Sequence, residues 1–244
     1  MSGREVNRPW LGQLTLGAHW ATWRGRIGDS QIHRHLAAQA VFAEQPIGVL
    51  DGAGRLRTGR CVLIDPLAPH CLVTADVAEL VFAEPRGVEP PADLRARFLD
   101  ISRVEPPIVL RSTDPRLRYW PDTLVSMDSG PPAHPGLPRL EPSLRQIDRL
   151  LDQGAIQLAD LAGRAGLSTE RFRHLFAEVL GVPFRRYVLW RRIGRAVSLL
   201  NSGHSVTAAA HASGFADGAH FARTMKVMFG VAPSALGWSP TVRC

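Results

Sequence analysis

Residues 158–188 read LADLAGRAGLSTERFRHLFAEVLGVPFRRYV, and residues 206–236 read VTAAAHASGFADGAHFARTMKVMFGVAPSAL. The second stretch repeats the pattern of the first, with equivalent residues 49 positions apart: Phe172 and Phe221, Phe176 and Met225, Gly181 and Gly230. An internal repeat of this kind is hard to obtain by chance. It predicts two copies of one helical unit in the C-terminal part of the chain.

Each copy is predicted to contain a short helix, a tight turn and a longer helix. In the first copy Gly166 allows the turn and Ser168 caps the second helix. In the second copy Gly214 makes the turn with Phe215, and Asp217 caps the helix that follows. This is the helix-turn-helix pattern, in which one face of the second helix enters the major groove of DNA. For either copy alone, a helical hairpin with a solvated face remains the alternative.

The outward faces of the two longer helices hold the candidate DNA-contacting residues. In the first copy these are Thr169, Glu170, Arg171, Arg173 and His174. In the second copy they are Ala219, His220, Ala222, Arg223 and Lys226. Arginine can read a base edge, whereas contact with a phosphate is the favoured interpretation for Lys226.

A helix predicted over residues 184–202 joins the two copies. At 1.5 Å per residue it spans roughly 28 Å. Successive major-groove faces on one side of B-DNA repeat about every 34 Å, so a rod of this length suits two reading helices in adjacent turns of one duplex.

The charge of the chain is unevenly distributed. Residues 1–142 hold 16 arginines and 16 acidic residues, whereas residues 143–244 hold 12 arginines and Lys226 against six acidic residues. The whole formal charge of +7 therefore lies in the C-terminal part. A neutral part followed by a basic one suggests that only the second meets a polyanion.

The repeated stretches, with their GF turn, HFARTMK helix and terminal GVAPSAL, closely resemble the AraC/XylS family of bacterial transcription regulators over roughly residues 143–238. The resemblance implies a sequence-specific regulator without catalytic activity that binds double-stranded DNA as a homodimer and contacts RNA polymerase if it is an activator. By resemblance, base contacts come from Glu170, Arg171, Arg173, His174, Ala219, His220 and Arg223. Gly218 and Ala219 depart from the longer polar residues that the family often has there.

The N-terminal part is predicted to be rich in β-strands. Short β-prone pieces separated by turns run through residues 18–83, which is typical of a sandwich or barrel. Helices are predicted over residues 92–103 and 114–127, and the proline-rich stretch 128–142 is predicted to be a linker without helix. The fold class is therefore α+β with several domains: a β-barrel over 1–105, a connecting helix and linker over 106–142, and an all-α domain over 143–244.

Four polar residues of this part form a candidate effector site. His33, His35 and Gln39 share one parity, which in a strand places them on one face, and His70 follows at the end of a later strand. Their spacing resembles the metal-binding motifs of the cupin barrel, with Gln39 in place of the usual Glu. Such donors suit a divalent ion such as Zn²⁺, Ni²⁺, Cu²⁺ or Fe²⁺.

Two alternatives stay open for these four residues. They line a pocket for a small organic effector, or they satisfy one another as structural groups in the barrel. A rival function for the whole chain is a cupin-type, metal-dependent dioxygenase or isomerase that uses these residues and carries the helical domain as an appendage.

Composition favours a cytoplasmic protein. No apolar run approaches the roughly 18 residues that a membrane span needs, and no apolar signal core is found at the N-terminus. The three cysteines, Cys61, Cys71 and Cys244, are odd in number and form no CxxC pair, which favours a reducing compartment.

Overall fold

The computed structural model describes residues 8–16, 20–73, 75–84, 105–117, 135–152 and 156–237, and the chain forms two compact units. Residues 1–127 together with 222–244 make the first, called the sheet unit, and residues 128–221 make the second, called the helical unit. These units are defined by contacts in the folded chain. The predicted boundaries at residues 105 and 142 concern separately folding domains and stay a prediction.

The described residues of the sheet unit form eight strands in one sheet. They are β1 (Trp10–Leu16), β2 (Trp20–Ile27), β3 (Ala38–Asp51), β4 (Leu56–Ile64), β5 (His70–Leu72), β6 (Ala75–Ala83), β7 (Ile108–Leu110) and β8 (Leu236–Gly237). Their order is β7-β4-β3-β6-β2-β1-β8, and β5 pairs with β3. The expected closed barrel is wrong for the described strands, because the edge strands β7 and β8 do not pair with each other. The sheet follows an open path.

Strand β3 is the centre of this sheet. It pairs with β4 along most of its length, with β6 at its start and with β5 at its end. The sequence predicts separate β-prone pieces at residues 35–43 and 47–50, but β3 continues through the residues between them, with a register shift between Phe42 and Ile47. A bulge tolerates Pro46, since residues there make no ladder hydrogen bond. Both faces of β3 are buried, with Val41 in one apolar cluster and Phe42 in another.

Other local predictions differ from the structure. Strand β1 was not predicted, and it carries Trp10 into the core against Trp23, with ring centroids 5.9 Å apart. The predicted helix over 92–103 lies outside the described residues. The one predicted over 114–127 is described only at its start, where Pro115–Leu117 makes a single 3-10 turn.

Six helices are described in the C-terminal part. They are α1 (Leu137–Asp152), α2 (Leu158–Arg164), α3 (Thr169–Leu180), α4 (Phe184–Asn201), α5 (Val206–Ala212) and α6 (Gly218–Phe229). The predicted repeat is present, since α2 and α5 each have 7 residues and α3 and α6 each have 12. None of the helices that the structure describes is long and apolar enough to cross a membrane.

The prediction that residues 128–142 form no helix is wrong from Leu137 onward, where α1 begins. Pro138 lies in the first turn, where a backbone N–H has no partner within the helix. Pro142 lies inside α1 and has no backbone N–H, so one hydrogen bond within the helix is lost. The fully buried side chains of Leu140 and Ser143 on either side of it hold the helix against its neighbours despite that loss.

Aromatic side chains join α3 to α4 in the helical unit. Phe176 is fully buried, and its ring centroid lies 5.7 Å from that of Phe172, 5.2 Å from Phe184 and 5.4 Å from Tyr187. Three such edge or tilted contacts add to the area that the ring buries. Phe176 is therefore the centre of the packing between these helices.

Phe176→Ala should lower the free energy of unfolding by about 3–5 kcal/mol, because it removes a buried ring and leaves a cavity between α3 and α4. Val227→Ala is the control, since Val227 is 72% exposed on α6 and its loss should change stability by less than about 0.5 kcal/mol. Denaturant unfolding followed by circular dichroism measures both. Equal effects of the two variants would contradict this account of the core.

Candidate DNA-reading helices and a buried histidine cluster

The first helix-turn-helix is built by α2, α3 and a turn that needs glycine. Gly166 has a φ of 62°, in the left-handed region that glycine tolerates. The N–H of Leu167 then donates to the Ala162 carbonyl at 2.9 Å and ends α2. Ser168 begins α3, and its hydroxyl accepts the N–H of Arg171 at 3.2 Å, as predicted.

The second helix-turn-helix repeats this geometry between α5 and α6. Gly214 has a φ of 79°, and the N–H of Phe215 donates to the Ala210 carbonyl at 3.0 Å. The carboxylate of Asp217 accepts the N–H of His220 at 2.6 Å, so the predicted cap is confirmed. The turn is one residue longer than in the first copy, and Ala216 is the extra residue.

The outward face of α3 is open to solvent. All five candidate residues on it are exposed: Thr169, Glu170, Arg171, Arg173 and His174. Glu170 and His174 come no closer than 3.9 Å, and both side chains are largely exposed, so this pair holds neither side chain firmly in place. Two arginines and one carboxylate are thus presented together, and such side chains are able to hydrogen-bond to base edges.

The outward face of α6 carries fewer exposed polar residues than that of α3. Ala219, Arg223 and Lys226 are exposed, whereas His220 and Ala222 are half-buried. The ring of His220 lies against Phe215, with centroids 5.4 Å apart, and its Nδ1 accepts the N–H of Ala216 at 3.5 Å. These contacts turn His220 back toward the turn. Contact of either face with DNA stays a prediction.

Arg139 braces the first turn and was missed because it lies in the stretch predicted to be a linker. Its guanidinium Nε donates to the carbonyl of Ala165, and a terminal nitrogen donates to that of Gly166, each at 3.1 Å. Ser143, one turn further along α1, donates from its hydroxyl to the Leu161 carbonyl at 2.8 Å. Helix α1 therefore fixes the end of α2, and with it the start of α3.

The four candidate effector residues come together in the sheet unit. His33 and His70 are joined by two backbone hydrogen bonds of 2.9 and 3.1 Å, and the His35 carbonyl accepts the N–H of Leu67 at 2.8 Å. Gln39 lies in β3 and His70 begins β5, whereas His33 and His35 lie outside the strands, so the expected strand alternation is wrong for these two histidines. An isolated bridge and an irregular segment bring them together instead.

The three imidazoles are close together and buried. The ring centroids lie 4.2 Å apart for His33 and His70, 4.9 Å for His35 and His70, and 5.6 Å for His33 and His35. One ring nitrogen from each lies within 4.8 Å of those of the other two. The exposed fractions are 8%, 1% and 0% for His33, His35 and His70.

Backbone carbonyls fix the orientation of each ring. The Nδ1 atoms of His33, His35 and His70 lie 2.8, 2.9 and 2.9 Å from the carbonyls of Gln31, Ala37 and Ala68. A carbonyl only accepts, so each Nδ1 carries the proton and each Nε2 keeps its lone pair. The Nε2 of His70 is fully buried and has no hydrogen-bond partner.

Burial keeps two of these rings neutral. Burial, with a smaller effect of the neighbouring His35, lowers the pKa of His33 to about 3. Burial also lowers the pKa of His70 well below its ordinary value, with added effects from His33 and His35. Charging either ring would place a cation in a buried site, where the loss of hydration disfavours the charged form.

The side-chain amide of Gln39 completes the cluster. It lies 2.8 Å from the Nε2 of His35. The atom at this contact is the amide oxygen Oε1, so a neutral His35 that donates from Nδ1 forms a hydrogen bond here only if the amide turns by 180° and presents its NH₂ group. The cluster thus offers three imidazole nitrogens and an adaptable amide.

These residues fit a transition-metal ion. A buried imidazole nitrogen without a partner is costly unless something binds it. Neutral imidazoles whose Nδ1–H is held by a carbonyl are the usual ligands of Zn²⁺ and related ions. Neither described cysteine belongs to the cluster: Cys71 contacts Ser30, and burial, with a smaller effect of Glu105, raises the pKa of Cys61 to about 12.

Two aromatic rings cover His35, and neither was singled out from the sequence. Phe82 of β6 lies with its centroid 5.4 Å from that of His35, and Phe229, at the end of α6, stacks on the same imidazole at 5.8 Å. Nothing in the spacing of Phe229, almost 200 residues from His35, indicates this contact. Its only signal was the helical repeat, which assigned it to the second helix-turn-helix.

Comparison with known proteins identifies the helical repeat. Residues 161–237 match a family model described as a helix-turn-helix domain. The chain is 35% identical over 103 residues to the uncharacterised HTH-type transcriptional regulator YidL of Escherichia coli, covering 39% of this chain and 35% of that protein. It is 31% identical over 94 residues to the transcriptional activator RhrA of Rhizobium meliloti, covering 37% and 30%. The chain thus matches about a third of the length of each relative.

Solved structures share the fold over most of the chain. ToxT from Vibrio cholerae O395 has a TM-score of 0.51 at 15% identity and covers 89% of this chain and 96% of its own. A structure of ToxT with an unsaturated fatty acid bound has a TM-score of 0.51 at 14% identity, covering 90% and 95%. This chain therefore carries a helix-turn-helix domain over residues 161–237, after a sheet-rich N-terminal region, and shares the fold of ToxT over most of its length.

Proposed function

We propose that the protein is a sequence-specific, DNA-binding transcription regulator without catalytic activity, and that its sheet unit holds a divalent transition-metal ion such as Zn²⁺ as its effector. The observation that carries the DNA-binding proposal is the repeated helix-turn-helix with an exposed, charged face on α3. By family resemblance it acts in the cytoplasm as a homodimer and contacts RNA polymerase if it is an activator.

The two reading helices would contribute unequally. Arg171 and Arg173 can each bind the major-groove edge of guanine with two hydrogen bonds, and Glu170 can accept one from cytosine. On α6 the Ala219 methyl can touch only a thymine methyl, and His220 is held against the turn. Sequence discrimination should therefore come mainly from α3.

For the effector, the charge state of the histidines favours a cation. His33, His35, Gln39 and His70 would hold the ion through three Nε2 atoms and the amide oxygen. The bound cation would bring the segments that carry these residues closer together. An ideal tetrahedral Zn²⁺ site, with Zn–N of about 2.0–2.1 Å, places its ligand atoms about 3.4 Å apart.

An organic effector is the second candidate, since a structure of ToxT contains a bound unsaturated fatty acid. A carboxylate, however, needs a positive or N–H-donating partner, whereas this cluster presents lone pairs on neutral rings. A metal enzyme would need an open path for its substrate. The three histidines are almost fully buried, and Phe229 lies over His35.

Variants of single cations test the assignment of the reading face. Arg173→Ala should relax base preference in one half of the binding site, at a cost of about 1–3 kcal/mol of discrimination. Lys226→Ala should weaken binding to all sequences alike and lower the slope of affinity against salt by about one. Binding-site selection and salt titration with the full chain measure both. A changed base preference in Lys226→Ala with none in Arg173→Ala would show that the reading face is misassigned.

Metal analysis of the purified protein tests the effector. About one Zn²⁺, Ni²⁺, Cu²⁺ or Fe²⁺ per chain is expected, and it should be lost in both His35→Ala and His70→Ala. His204→Ala is the control, because His204 is exposed and lies outside the cluster. An organic effector would instead be released from the denatured protein and found by mass spectrometry, with metal content near zero.

The buried histidines also predict how the metal-free protein responds to acid. The folded pKa of His33 is about 3 against 6.5 unfolded, so below pH 6.5 the unfolded chain binds a proton that the folded chain does not. The free energy of unfolding should therefore be highest above pH 6.5. It should fall as the pH is lowered, by up to about 1.4 kcal/mol per pH unit for each such histidine.

Denaturant unfolding between pH 6.5 and 5 measures this slope above the range where ordinary carboxylates titrate. The double variant His33→Asn, His70→Asn should lose most of it. An unchanged slope in that variant would show that the buried rings are not responsible.

A further inference from the structure

The end of α6 lies directly against the histidine cluster. We propose that Phe229 and Gly230 are positioning residues of the effector site, which is complete only when they are docked, and that they couple the bound ion to DNA held by α6. This rests on the proposed function.

Gly230 lies at a position where a side chain would clash with the segment that carries His33. It ends α6 with a φ of 72°, and its N–H donates to the Lys226 carbonyl at 2.9 Å. A Cβ on Gly230 would lie 2.5 Å from the Gln31 carbonyl oxygen and 2.6 Å from the Nδ1 of His33. Both atoms belong to the hydrogen bond that orients the ring of His33, so the chain at Gly230 is packed onto that bond.

A short relay of hydrogen bonds runs from Gly230 to the cluster. The Gly230 carbonyl accepts the N–H of Gln31 at 3.2 Å. The carbonyl of the same Gln31 lies 2.8 Å from the Nδ1 of His33 and accepts its proton. Gly230 therefore fixes the position of Gln31, and the Gln31 carbonyl in turn orients the ring of His33. Groups that orient a metal-binding histidine in this way set both its tautomer and its basicity.

Phe229 performs the corresponding role at His35. Its ring stacks on the imidazole with an interplanar angle of 27° and meets Phe82 edge-on at 6.1 Å. His35 is thereby held between two aromatic rings and shielded from water. The equivalent residue in the first repeat, 49 positions earlier, is Leu180, so the aromatic ring is particular to the copy that meets the histidines.

The chain after Gly230 fixes this contact in the sheet unit. Val231 is buried in the same apolar cluster as Trp10, and Leu236 in β8 pairs with Trp10 in parallel register. The terminal GVAPSAL motif is thus an integral part of the sheet unit. The docking of Phe229 and Gly230 does not depend on the histidine contacts alone.

The same helix carries the candidate DNA contacts Arg223 and Lys226. Lys226 precedes Phe229 by three residues, about 4.5 Å along a rigid helix axis. A shift of His33 and His35 toward a bound cation would be transmitted to α6 through Gly230 and Phe229. Binding free energies are reciprocal, so DNA on α6 would change the metal affinity by the same factor as the metal changes DNA affinity.

The test is a Zn²⁺ titration of the full chain in competition with a chromophoric chelator. Phe229→Leu, which places the aliphatic residue of the first repeat at this position, and Gly230→Ala should each weaken Zn²⁺ binding by about 10–100-fold. Gly181→Ala is the matched control, since Gly181 ends α3 with a φ of 71° and belongs to the other unit. It should leave Zn²⁺ affinity within about twofold of wild type.

A second measurement addresses the coupling. Wild-type DNA affinity should change by about 5–150-fold on addition of Zn²⁺, and that factor should fall toward one in Phe229→Leu. Circular dichroism of the metal-free proteins identifies any variant that fails to fold. Phe229→Leu keeps the test decisive if Gly230→Ala is unfolded.

The outcomes separate this inference from the proposed function. Zn²⁺ binding that is lost in His70→Ala but unchanged in a folded Phe229→Leu, with the Zn²⁺ effect on DNA affinity also unchanged, would overturn the inference alone. Absence of His70-dependent Zn²⁺ binding in the wild-type chain would overturn the metal effector itself, and the inference with it.

Discussion

The histidine cluster of the sheet unit is held together by one backbone pairing, the two reciprocal hydrogen bonds between His33 and His70. They tie the irregular chain before β3 to the start of β5, which itself pairs with the end of β3. They bring the two imidazoles together in the buried interior, where their ring centroids lie 4.2 Å apart. Each ring then meets its remaining requirement locally, with Nδ1 on a carbonyl two residues away.

This arrangement keeps His33 and His70 neutral and leaves the Nε2 atom of His70 buried. A purely structural cluster would pair its buried nitrogens, whereas the Nε2 of His70 has no partner. Burying such an unpaired atom is unfavourable in free energy, and a ligand that binds it offsets this. For that reason we interpret the cluster as an effector site. Neutral rings distinguish that ligand by charge, because they attract a cation and give an anion nothing to bind.

The two helix-turn-helix copies have similar backbone geometry but differ in their side-chain contacts. Both turn on a left-handed glycine, and each longer helix is capped by a side chain, Ser168 or Asp217. The first copy is braced by Arg139 and presents two arginines outward. The second ends in Phe229 and Gly230, which contact the histidine cluster within the sheet unit. The longer helix of the first copy thus exposes charged side chains, whereas that of the second ends at the histidine cluster.

Local patterns in the sequence determined the helical repeat, its caps and its turn glycines, because helical periodicity and capping depend on residues within four or five positions of one another. The same locality explains why α4 and the exposed face of α3 could be predicted. It also explains the errors: Pro46 and the prolines of residues 128–142 are local breakers, yet a bulge in β3 and the buried Leu140 of α1 override them.

Only the tertiary structure decided what surrounds the histidines. Their residue types indicated a common site, but the expected strand alternation and closed barrel were wrong, and the site is assembled by a bridge, an irregular segment and an open sheet. Contacts between residues almost 200 positions apart, such as Phe229 on His35, leave no periodic trace in a single sequence. They exist because β8 and Val231 bury the end of the helical repeat in the core of the sheet unit, an outcome of packing that no local propensity encodes.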